Sequence, residues 1–157
     1  MISTEEYKFN LEKKQKKTTQ VQPHFKYATD GRISDFKTEV EVWYSEDYFN
    51  IKFECKGDDF VNQNIMQIHN APLYNQEVFE VFISEGEADP KKYLEVEINP
   101  NNALWIGWID NPTLGSETQT LNKMVDPEEA KILHAVQKLK TVGVAPCKYP
   151  GSSLAKK

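Results

Sequence analysis

Apolar and polar positions alternate with period two along much of residues 39–110, in short runs separated by turn-forming residues. Val40, Val42 and Tyr44 share one face of a run Glu39–Tyr44, and Ile51, Phe53 and Cys55 share one face of a run Phe49–Cys55. Two strands are predicted there, joined by the polar loop Ser45-Glu46-Asp47. Three more follow. Glu77, Phe79, Val81 and Ile83 alternate with Val78, Glu80 and Phe82, and Leu94, Val96 and Ile98 alternate with Tyr93, Glu95, Glu97 and Asn99. Ala103–Asp110 is an aromatic-rich third run. The polar stretch Ser84–Lys92, with Gly86 and Pro90, and the turn Asn99-Pro100-Asn101-Asn102 separate them. Many short strands with little sustained helical period predict an all-β chain, an antiparallel β-sandwich.

The flanks carry weaker patterns. Residues 1–22 are polar and lysine-rich and read as an irregular leader, residues 23–140 as one β domain, and residues 141–157 as an irregular tail. Asp30-Gly31 is a turn signal within Phe25–Phe36. Gly57–Tyr74 is a long connection, of the kind that carries function or disorder. Asp126-Pro127-Glu128-Glu129 has the N-cap, proline and early acids of a helix start. Ile132, His134 and Val136 then alternate with their neighbours, so a turn of helix followed by a strand is expected.

Composition narrows the function classes. The chain has 157 residues, 39% hydrophobic and 11% aromatic, enough for one domain with a real core. Its formal net charge of −5, with one basic cluster at Lys13–Lys17, speaks against a nucleic-acid surface. No apolar run approaches the roughly 20 residues of a membrane span. The N-terminus lacks the apolar core of a secretory signal, so the chain as it stands reads as soluble and cytoplasmic, or extracellular or periplasmic if a leader precedes it. Cys55 and Cys147 make no disulfide framework, and neither has zinc-ligand spacing; Cys55 reads as a small core residue.

The stretch Tyr74–Pro112 resembles the family 9 carbohydrate-binding modules and the DOMON-like β-sandwiches around them. The elements that carry the resemblance are Tyr74, Glu77, Glu80-Val81-Phe82-Ile83, Tyr93 and Ile98-Asn99-Pro100, with Glu39–Tyr44 and Tyr48–Cys55 resembling the family's first hairpin. It covers roughly residues 20 to 140. It implies a non-catalytic sugar-binding domain that accompanies glycoside hydrolases, with Tyr74 as a stacking aromatic, Glu80 as an acidic ligand residue and Asn99 as a strand-end asparagine. Glu97 stands where the family has arginine, and the family's second stacking tryptophan has no counterpart here.

The residue types suit that chemistry. Flat aromatic rings stack on the C–H face of a pyranose, and carboxylates accept several hydroxyl protons. The candidate sugar-binding group is Tyr74, Glu77, Glu80, Glu97, Asn99, Trp105 and Trp108, with Glu95 in support. Trp105 and Trp108, three apart on a strand, must point to opposite faces, one to the core and one outward. Asp58 and Asp59, with Asn62 and Asn64, are candidate ligands of a structural calcium ion, though without an EF-hand spacing. Glu80, Glu95 and Glu97 also have the residue type of a glycosidase pair, which the resemblance to a non-catalytic family opposes. Two other readings stay open: haem held by Met66 or His69 together with His134, as in DOMON-like relatives, and a protein-interaction sandwich.

From Thr141 the sequence loses all period. One synonymous codon spelling of residues 141–156, read one nucleotide earlier, encodes Asn-Gly-Trp-Ser-Gly-Thr-Leu-Gln-Ile-Pro-Trp-Glu-Leu-Ile-Ser-Glu. That string holds the Ile-Pro-Trp strand which the resembled family places here. The expectation is a frameshift near Lys140 that truncates the sandwich, leaves a sheet edge open and promotes self-association.

Overall fold

The computed structural model describes residues 19–21, 25–27, 30–86, 90–112 and 119–138. The chain is all-β. Seven described strands form two antiparallel sheets, and the only helical pieces among the described residues are 3-10 turns at Asp59–Asn62 and Leu73–Asn75. These elements fall into two compact units that divide in sequence between Asp58 and Asp59.

The first unit holds β1 (Thr19–Val21), β2 (Lys37–Tyr44) and β3 (Phe49–Lys56), in the order β1-β2-β3. Val40 faces Phe53, Val42 faces Ile51 and Tyr44 faces Phe49, so the period-two pattern lays one apolar face along the hairpin. Cys55, half-buried, lies on that face opposite Thr38. The other face pairs Glu39 with Glu54 and Glu41 with Lys52. Lys37, Lys52 and Lys56 neutralise those acids at 2.7–3.8 Å. Such exposed pairs stabilise little individually, yet they leave few uncompensated charges. The Asp30-Gly31 turn forms as the sequence predicts: Gly31 takes φ 71°, and Arg32 bonds the Asp30 carboxylate at 3.0 Å. β1 lies inside the segment expected to be an irregular leader. Its backbone is instead recruited by β2, with Gln20 opposite Glu41.

The second unit is the sheet β4-β5-β6-β7: β4 (Phe79–Ile83), β5 (Lys92–Ile98), β6 (Leu104–Asp110) and β7 (Thr120–Met124). β6 lies second from the β7 edge and is the most deeply buried, with Leu104, Trp105, Ile106, Gly107 and Ile109 all shielded. β7 was not foreseen, because its five residues are polar or exposed and show no alternation. A bulge between Trp108 and Ile109 lets Asn122 reach the Asp110 carboxylate at 2.6 Å.

Asparagines fix the connections. In the turn after β5, Asn102 N–H donates to Asn99 O at 3.0 Å, and Asn102 takes φ 64°, a left-handed conformation asparagine tolerates. The Asn99 amide bonds in both directions. Its oxygen accepts from the N–H of Asn101 (3.1 Å) and Ala103 (2.8 Å), and its nitrogen donates to Asn64 Oδ1 (3.0 Å) and Met66 O (2.8 Å). Asn101 adds a second clamp on Asn64 O and Met66 O. The long connection is thereby stapled to the β5–β6 turn. Further along it, His69 and Asn70 run beside β6 as a surrogate strand. Leu104 N–H donates to His69 Nδ1, and Asn70 N–H donates to Leu104 O. The Asn70 side chain bridges Ile106 N–H and Val125 O.

Asp126 caps one turn, accepting from Glu128 N–H at 2.9 Å, while Ala130 N–H closes an α-turn on Asp126 O at 3.0 Å. The strand expected after it does not form. Lys131 turns the chain at φ 54°, and residues 132–138 pair with no strand among the described residues. Side chains hold that segment instead, through His134 to Asn102 and Lys138 to Asn101. The tail 141–157, with Cys147 and the proposed frameshift, lies outside the described residues.

Asn99→Ala should destabilise the β4–β7 unit by about 2–4 kcal/mol, because it strands the buried N–H of Ala103 and releases the connection. Urea unfolding should show a lower midpoint at unchanged slope. An unchanged midpoint would refute the role given to Asn99.

Candidate functional site

The β4–β7 register sorts acids from apolar residues. Glu80 lies opposite Glu97 and Phe82 opposite Glu95 across β4 and β5. Across β5 and β6, Glu97 faces Trp105, Glu95 faces Gly107 and Tyr93 faces Ile109. Directly opposed residues share a face. One face therefore collects Glu80, Phe82, Tyr93, Glu95, Glu97 and Trp105. The other carries Val81, Val96, Ile98, Leu104, Ile106 and Trp108.

On the acidic face Gly107 is required by packing. A Cβ there would lie 2.5 Å from the Trp105 ring and 2.8 Å from Leu121. Glycine lets the indole lie along the sheet, where it packs in the core cluster with Leu73, Tyr93, Ala103 and Ile109. Leu73 sits in the 3-10 turn that packs on β5. The next residue, Tyr74, is 58% exposed. Phe82, equally exposed, meets Tyr93 edge-on with ring centres 5.6 Å apart. A shallow depression beside them is lined by Phe82, Ser84, Pro90, Tyr93, Glu95 and Gln119.

The electrostatics are unusual. Glu97 is 0% exposed, and neither carboxyl oxygen has a hydrogen-bond partner among the described residues. Burial, then the Glu80 and Glu95 carboxylates, push its pKa to about 7. The neighbouring Glu95 carboxyl favours a protonated Glu97 and the Tyr74 backbone N–H favours the charged form, but both approach Glu97 without reaching hydrogen-bonding geometry. Glu95 is raised by burial and then by Glu80, and Tyr93 by burial and then by both glutamates. The described ion pairs all lie in the β1–β3 unit, and Glu80, Glu95 and Glu97 take part in none. Among the described residues no cation pairs with this acidic face, which Phe82, Tyr93 and Trp105 border.

The structure brings Glu80, Glu95, Glu97 and Trp105 together on one sheet face, with the backbone of Tyr74 close to Glu97, and sets the other sequence candidates elsewhere. Asn99 has all four of its amide hydrogen-bonding positions engaged by the protein. Glu77 is exposed, and its carbonyl accepts from Asn64 at 3.0 Å. Trp108 is on the opposite face, 37% exposed, with the Lys92 ammonium 5.5 Å from its ring centre. The tryptophan beside the acids is thus the buried one. Phe82 and Tyr93 were missed as members of the site; the Glu80–Phe82 and Tyr93–Glu95–Glu97 spacings of two were the signal.

Asp59 opens a 3-10 turn, while Asn64, the proposed fellow ligand, commits its amide to Glu77, Met66, Asn99 and Asn101. Among the described residues no three His, Cys, Asp or Glu side chains form a metal-holding group. The haem ligand set fits poorly. His69 and His134 meet edge-on at 5.8 Å, but His69 Nδ1 accepts the Leu104 N–H, so neutral His69 carries its proton on Nε2, the nitrogen iron would need. Met66 packs against the core cluster. No described helix is long and apolar enough to cross a membrane.

No family model matches the chain, and no solved structure does. A protein of Arthroderma benhamiae named "Extracellular protein" is 35% identical over 77 residues, which are 49% of this chain and 35% of that protein. The matched stretch spans about a third of the relative's length.

A carboxyl with a folded pKa of about 7, above its ordinary 4.5, stays protonated to higher pH in the folded state than in the unfolded one. Its contribution to stability is present below pH 4.5 and is lost as pH rises through 7. Wild type should therefore lose stability, on the order of 2 kcal/mol, between mildly acidic and neutral pH. Glu97→Gln should remove most of that loss, leaving the smaller slope from Glu95. Equal slopes for the two proteins in denaturant titrations would contradict the assignment.

Proposed function

We propose that this chain is a non-catalytic, family 9-type carbohydrate-binding β-sandwich that recognises sugar chain ends or short oligosaccharides. The observation that carries the reading is the single sheet face on which Glu80, Glu95 and Glu97 lie beside Phe82, Tyr93 and Trp105, with exposed Tyr74 on the turn packed against β5. Exposed Tyr74 and Phe82 offer ring faces for stacking on a pyranose, and Glu80 and Glu95 accept its hydroxyl protons. Each hydroxyl bond to a charged group adds about 1.5–3 kcal/mol. Trp105 forms the apolar floor and contributes shape more than contact area.

The resemblance over Tyr74–Pro112 supports the same assignment from the sequence side. The relative named "Extracellular protein" favours a role outside the cell, where polysaccharides and glycoside hydrolases meet. In this reading the domain is an accessory to such an enzyme and needs no cofactor. A structural calcium ion has little support from the loop around Asp58 and Asp59. The exposed edge strands β4 and β7 are the surfaces for any self-association.

Tyr74→Ala should weaken binding to a retained oligosaccharide by at least about tenfold, since a stacked aromatic anchors such interfaces. Thermal unfolding should be nearly unchanged, because the ring is exposed. Affinity gel electrophoresis against a panel of soluble polysaccharides supplies the measurement. Undiminished retention of the variant would remove Tyr74 from the site, and no retention of wild type on any member would sink the proposal.

A further inference from the structure

We infer that the sugar this face selects is an amino sugar, its protonated amine seated against the carboxylates of Glu80 and Glu95 beside buried Glu97, within the aromatic rim. The inference rests on the carbohydrate reading above and names the class of sugar.

Two observations point to a cation. The first is the missing counter-charge: the β1–β3 acids each have a lysine within 4 Å, whereas Glu80, Glu95 and Glu97 have no ion pair among the described residues. Register makes this concentration unavoidable, since Glu80 opposes Glu97 and Glu95 shares their face. Like charges set opposite each other destabilise a sheet. The second is Glu97 itself, wholly buried, with neither oxygen in hydrogen-bonding geometry to a described residue; its one side-chain neighbour of that kind is the Glu95 carboxyl, another acid that brings no positive charge. A buried polar group without a partner is costly and marks a place where something else completes the site.

The kind of cation follows from the surroundings. A divalent ion needs several converging oxygen ligands, and no described trio of acidic or metal-binding side chains provides them. An ammonium needs only two or three acceptors, and it gains from nearby ring faces. Exposed Tyr74 and Phe82 add surfaces suited to the C–H face of a pyranose. Neutral hydroxyls could bond the same carboxylates but would leave their mutual repulsion in place. An ammonium removes it.

The groups facing Glu97 agree. β4 presents Glu80, β5 presents Glu95, β6 presents Trp105, and the Leu73–Asn75 turn packed on β5 brings the Tyr74 backbone. No described lysine or arginine is among them. A bound ammonium favours the ionised form of Glu97.

The test is calorimetry of the full chain, near neutral pH at low salt, with four probes: a glucosamine tetrasaccharide, its N-acetylated form, a cello-tetrasaccharide and spermidine. The glucosamine tetrasaccharide should bind at least about tenfold tighter than the two neutral sugars. That preference should shrink with added salt and in Glu80→Gln, whose exposed position makes it safe for folding, and in Glu95→Gln. Equal affinity for all three sugars would overturn the amino-sugar inference while leaving carbohydrate binding intact. Spermidine binding as tightly as the glucosamine tetrasaccharide would overturn it as well, since charge alone would then suffice. Silence with every sugar would fail the underlying function instead.

Discussion

The Asn99 amide is the joint on which the second unit depends. A side chain with two donors and an acceptor oxygen stands where β5 turns into β6, and the protein uses all of it. It closes the turn through Asn101 and Ala103 and pulls Asn64 and Met66 of the long connection onto that turn. The connection carries Leu73 into the core and presents Tyr74 next to it. An exposed aromatic in a mobile loop would lose entropy on stacking; one anchored through its neighbour loses less.

The same sheet shows why register matters. A slip of one residue of β4 along β5 would flip β4 alone, setting Val81 among the acids and aromatics and Glu80 and Phe82 on the apolar side. Asn70, doing the work of a strand along β6, and the Asn99 turn hold β6 in place at its start. The cost of that register is three carboxylates brought together, with one of them buried. Proteins usually compensate such an arrangement, as the lysines of β2 and β3 do here. A departure from that rule is expected where a ligand supplies the compensation.

Much of this was legible in the sequence, for identifiable reasons. β2 to β5 are partly buried strands whose pattern has period two, and β6, buried on both faces, is legible as a short apolar and aromatic run between turns. β1 and β7 were missed because such short strands need no alternation, and β7 is exposed throughout; pairing with a neighbour defines them. The opposite error occurred at 132–138, where alternation is present but no strand lies alongside. Spacing showed that Trp105 and Trp108 point apart, but only the pairing of Trp105 with Glu97 says which one joins the acids. Asn99 could be read as a ligand residue or as a turn staple, because one amide serves either purpose. Glu97 was visible as an acid on a polar face; that it is sealed and unpartnered is a property of packing, which no local pattern encodes.

The most direct test of the account is a carbon-13 NMR titration of the Glu97 side-chain carboxyl, assigned by comparison with Glu97→Gln. A buried, unpaired carboxyl between two other acids should titrate near pH 7, well above its ordinary 4.5. Titration in the usual glutamate range would mean that the carboxyl is solvated or paired, and the uncompensated acidic face on which the proposed sugar site rests would not exist.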